Sequence, residues 1–106
     1  MFQNTTLDGL LSIGMKAYVM PFTVEVENVM RRSNLRISNS DKVTLEREVG
    51  QLTSAVNQKS ASQAEVALFN IGNLLRGLSG VVQEFSNLLD KWNGLTEQLS
   101  KSGLLR

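Results

Sequence analysis

Three arginines, Arg31, Arg32 and Arg36, fall within a six-residue stretch, with Lys42 and Arg47 downstream. Guanidinium groups so placed can grip a phosphate through paired N–H donors. Glu25 and Glu27 precede the group, however, Glu46 and Glu48 follow it, and no aromatic residue is interleaved to stack on bases. A formal net charge of +1 provides no long-range field to recruit a polyanion. Arg31, Arg32 and Arg36 therefore stand as candidate anion contacts only. The plainer reading, a solvated helix end and loop, is preferred, and nucleic acid is not an expected partner.

Other chemistry is sparser still. The chain has no His and no Cys, which removes imidazole general bases, thiolate nucleophiles, thiolate metal sites and disulfides. The carboxylates, from Asp8 to Glu97, are scattered, and none repeats the Glu-x-x-His pairs of di-metal bundles. Gly72, Gly77 and Gly80 match neither a dinucleotide fingerprint nor a P-loop. The expectation is a protein without catalytic residues, cofactor or metal, and not an enzyme.

The elements that would position any of these residues are helical. The strongest periodicity runs from Leu68 to Leu99. With Leu68 at heptad position a, the a positions are Leu68, Leu75, Val82, Leu89 and Thr96, and the d positions are Ile71, Leu78, Phe85, Trp92 and Leu99. The g column (Leu74, Val81, Leu88, Leu95) is apolar too. A stripe three columns wide suits a bundle of three or more helices. Upstream, Ala61, Ala64 and Ala67 continue the face. Ser62 and Glu65 have capping-box spacing, and Gly103 is placed as a C′ residue with Leu104 able to fold back. The unbroken register across Gly77 and Gly80 predicts one helix over 62–102, about 60 Å long. The same glycines are where that helix would break, or where another backbone would approach.

Leu45, Val49, Leu52 and Val56 predict a helix over 41–58, capped by Ser40 or Asp41, with a turn at Asn57–Ser60. A helix over 5–20, capped by Thr5 or Thr6, has apolar residues around much of its circumference, and Pro21 is expected to end it. The segment 21–39 reads two ways. Phe22, Val26 and Val29 fit a helical stripe over 22–32, the preferred reading. The alternation of Phe22, Val24, Val26, and later Leu35 and Ile37, fits a short β-hairpin at 22–38.

The fold class expected for 1–106 is thus a single all-α helical domain, an antiparallel hairpin or bundle with one long C-terminal amphipathic helix. Trp92-Asn93-Gly94 resembles the W-x-G motif of a family of small exported helical hairpins. That family carries the motif in a mid-chain turn, whereas here it falls late, at a core d position, and the likeness covers three residues. Trp92 is taken as a core residue.

Function is expected from helix packing: a structural subunit of a homo-oligomer, or a small adaptor or chaperone for another helical protein. The packing interface would be Leu68, Ile71, Leu74, Leu75, Leu78, Val81, Val82, Phe85, Leu88, Leu89, Trp92, Leu95 and Leu99. The alternative is a membrane-active or exported protein using the weakly charged segments Leu7–Phe22 or Val66–Gln83. Weak nucleic-acid binding through Arg31–Arg36 ranks third. No basic n-region precedes the first apolar stretch, so no cleavable signal is expected, and a cytoplasmic location is the default with signal-less export left open.

Overall fold

Four helices account for most of the described chain. The computed structural model describes residues 7–32 and 36–105, and contains α1 (Leu7–Met30), α2 (Asn39–Asn57), α3 (Ala61–Ser79) and α4 (Gln83–Lys101). Three-residue connections join α2 to α3 and α3 to α4, which makes each pair an antiparallel hairpin. Along α1 and α4, Glu25 pairs with Lys91 and Arg32 with Glu84. Seven residues up one helix correspond to seven down the other, so these two are antiparallel as well. α1 packs on all three other helices, whereas α2 and α4 share no contact among the described residues. α1 and α3 therefore form the inner diagonal of an all-α bundle measuring 52 × 24 × 18 Å, with α2 and α4 on opposite flanks.

The helix starts differ from expectation by two residues. Ser38, not Ser40 or Asp41, caps α2: its Oγ accepts the Asp41 N–H at 3.0 Å. Ser60, not Ser62, caps α3 by accepting the Gln63 N–H, so that Ala61 and Ala64 start the buried face. The expected cap at Thr5 or Thr6 and the strand position of Leu35 lie outside the described residues. Both C-terminal signals close Schellman motifs. Leu104 N–H donates to the Leu99 carbonyl and Gly103 N–H to that of Ser100, with Gly103 at φ 71°. Ser60 N–H donates to Ala55 and Lys59 N–H to Val56, with Lys59 at φ 60°.

Pro21 does not end the first helix. α1 continues through it to Met30, and no strand occurs among the described residues of 22–38. An internal proline costs about 3 kcal/mol. Beyond it, helical spacing buries Phe22, Val26, Val29 and Met30. At about 1.5–3 kcal/mol for each large apolar side chain, that burial outweighs the proline.

The single C-terminal helix is also corrected. It is two helices, α3 and α4, of 19 residues each, equal in length to α2. Gly80 ends α3, and Val82 starts α4 without a side-chain cap. Reversing direction lets Phe85, Leu88, Trp92, Leu95 and Leu99 bury in the bundle rather than extend into solvent. Several such side chains contribute on the order of 10 kcal/mol, against about 1 kcal/mol for each helical hydrogen bond forgone in the turn. The heptad phase survives because a three-residue turn is close to one helical turn of 3.6 residues. The buried face nevertheless shifts by one column, from a and d in α3 (Leu68, Ile71, Leu75, Leu78) to d and g in α4 (Phe85, Leu88, Trp92, Leu95, Leu99), and an unbroken heptad spacing does not by itself demand an unbroken helix.

Candidate interaction surface

α1 carries apolar residues on two faces. Inward, Met15, Val19, Phe22, Val26, Val29 and Met30 are buried. Outward, Leu10, Ile13, Ala17, Pro21 and Val24 recur at 3-4-4-3 spacing, the period of one helical stripe about 21 Å long. All five are exposed, Leu10 at 54%, Ile13 at 53% and Val24 at 49%. No charged residue stands on the stripe, and Lys16 and Tyr18 flank it. A helix that is apolar all round is normally covered all round, and the bundle covers only half of this one.

The stripe also tolerates Pro21. A proline at this position removes the N–H that the Ala17 carbonyl would accept. Both residues are exposed, so water can serve that carbonyl. On the inner face the same substitution would have stranded a buried acceptor. Of the remaining exposed large apolar residues, Val66 and Phe69 share one face of α3 as a pair, while Val43 on α2 and Val81 in the α3–α4 turn stand singly; none extends to a run of the length seen on α1.

The expected packing residues lie mainly inside the bundle. Leu68, Ile71, Leu75, Leu78, Phe85, Leu88, Trp92, Leu95 and Leu99 are buried. Leu74, Val82 and Leu89 are half-buried against the same core, and Val81, in the turn, is 66% exposed. The long stripe thus finds its cover within its own chain. Small residues on α2 and α3 (Ala55, Ala61, Ala64, Ala67) are buried near the turn that joins these two helices. Trp92 fills the space beside Gly72, donates its indole N–H to the Leu68 carbonyl at 2.8 Å, and meets Phe69 edge-on with ring centroids 6.1 Å apart.

The arginines fall at one end of the bundle. A cleft of about 590 Å³ between the end of α1 and the start of α2 is lined by Arg31, Arg32 and Lys42, but also by Glu27 and Glu46. Arg32 is drawn across to Glu84 on α4 at 3.1 Å, and Arg36 is exposed and absent from the lining. An anion entering this cleft would meet two carboxylates beside the bases. A second cleft of about 490 Å³ between α2 and α3 is lined by Gln51, Ser54, Ala55, Ser62, Gln63, Val66 and Ala67, with no titratable group. Among the described residues no cluster of three metal-ligating side chains occurs, and no helix is long and apolar enough to cross a membrane.

No family model, curated protein or solved structure matches this chain with significance. Geometry alone carries the functional reading.

Sequence reasoning passed over the outer face of α1. The signal was present: Leu7, Leu10, Leu11, Ile13, Met15, Tyr18 and Val19 cover too much of the circumference for one buried stripe. Ending the helix at Pro21 removed Val24 from the series and cut the stripe in half.

Proposed function

We propose that this protein is a non-enzymatic interaction or assembly protein that acts by helix–helix packing, and that α1 supplies the packing surface. The observation that carries this reading is the uncharged outer stripe of Leu10, Ile13, Ala17, Pro21 and Val24, exposed on a helix whose opposite face is fully engaged in the core. Exposed apolar surface gathered in one place costs solubility unless a partner covers it. The C-terminal heptads serve a different end, since they hold the bundle together and present α1.

Size-exclusion chromatography with light scattering, alone and in crude extract, tests the proposal. The wild type should elute above its 11.7 kDa monomer mass in at least one setting. Ile13→Glu, a change at an exposed site, should return it to the monomer while leaving helicity intact. A wild type that stays monomeric in both settings counts against the reading.

A further inference from the structure

The pattern of residues along the outer face of α1 is symmetric about Ala17. Leu10 and Val24 lie seven residues to either side of it, and Ile13 and Pro21 four residues to either side. We infer that the partner of this face is a second copy of the chain, docked with the two α1 helices antiparallel about a two-fold axis at Ala17. The inference rests on the interaction reading above and names the occupant. In that pairing Leu10 faces Val24 of the second copy, Ile13 faces Pro21, and Ala17 faces itself. A two-fold contact uses one patch twice, so the patch must be complementary to its own reversal. This stripe is, with the smallest side chain at the centre, where two helices approach within about 8 Å.

Area is consistent with the same occupant. Exposures near one half on Leu10, Ile13 and Val24, with Ala17 and Pro21 between them, amount to on the order of 400 Å² of apolar surface, the size at which a patch is often functional. Burying it twice, with the flanking Tyr18, Met20 and the Lys16 stem, approaches the roughly 1,200 Å² where specific interfaces begin. A lipid surface would favour a face rimmed by Lys and Arg, and only Lys16 borders this one. The Ala17 carbonyl, without its helical donor, can accept from a bridging water at the seam.

Single-cysteine cross-linking of the full chain tests the geometry without background, because the chain has no Cys. Under mild oxidation Ala17→Cys should form a disulfide dimer with itself. Leu10→Cys and Val24→Cys should cross-link when mixed and neither alone, and circular dichroism should show each variant folded. Self-linking of Leu10→Cys would mean a parallel pairing and overturn the proposal. A wild type heavier than a monomer whose Ala17→Cys variant does not link would also overturn it, while leaving the broader assembly reading standing. A monomer that pellets with phosphatidylcholine vesicles would assign the face to lipid and remove both. A monomer that neither links nor pellets would remove both as well.

Discussion

The indole of Trp92 occupies the space that a Cβ on Gly72 would need: such an atom would lie 2.4 Å from Cζ2 and 2.6 Å from Cε2. Its Nε1–H reaches the Leu68 carbonyl, one turn earlier on α3, at 2.8 Å. Arg76 completes the setting, with its guanidinium carbon 5.0 Å from the ring centroid. The α3–α4 hairpin is therefore keyed by one large side chain on α4 against one missing side chain on α3.

Gly72→Ala should destabilise the fold by about 2–3 kcal/mol, because the indole must move and its buried hydrogen bond is lost. Gly94 in α4 is exposed with open space around it, so Gly94→Ala should stabilise by about 1 kcal/mol through helix propensity. Urea denaturation followed by fluorescence of the sole tryptophan reads both, and Gly72→Ala should also red-shift the native emission. Equal effects of one sign would refute the keyed contact.

Lys59 adopts the left-handed conformation at φ 60° that the α2–α3 Schellman turn requires. A side chain there costs about 1 kcal/mol that glycine avoids. Lys59→Gly should raise stability by about 0.5–1 kcal/mol and the Tm by a few degrees. A lower Tm in thermal denaturation would show that the Lys59 side chain has a role beyond the turn.

Pro21→Ala restores the N–H that the Ala17 carbonyl lacks. It should stabilise the protein by about 1–3 kcal/mol in chemical denaturation, since the proline sits in a helix held by tertiary contacts rather than by propensity. The amide N–H that the substitution introduces at position 21 should exchange slowly, as expected of a helical hydrogen bond to the Ala17 carbonyl. A neutral or destabilising result would mean that α1 has already relaxed around the proline.

Glu48 is a buried carboxylate, and Asn70 Nδ2 donates to its Oε1 at 3.0 Å across the α2–α3 seam; Arg47 lies 3.6 Å from its other oxygen. Asn70→Ala leaves that oxygen without its donor and should cost about 1–2 kcal/mol. Asn70→Asp, which places a second carboxylate beside it, should cost more. Melting temperatures at neutral pH should therefore rank wild type above Asn70→Ala above Asn70→Asp.

Much of the fold could be read from local pattern. The all-α class, the α2 face of Leu45, Val49, Leu52 and Val56, the columns of α3 and α4, and the Gly103 cap all follow from periodicity and backbone preference, which act within a few residues. Three decisions were tertiary. Pro21 reads as a stop because the local cost is visible in the chain, whereas the burial of Phe22, Val26 and Val29 that offsets it exists only once α2, α3 and α4 are in place. A break near Gly77–Gly80 was legible as the alternative to one long helix, but the continuous heptad spacing favoured continuity, and only packing energy distinguishes one long helix from two that fold back. The candidate surface moved for the same reason. The sequence by itself determined which faces are apolar; which of them stays open, the outer stripe of α1 rather than the heptads of α3 and α4, depended on which neighbours each face acquired.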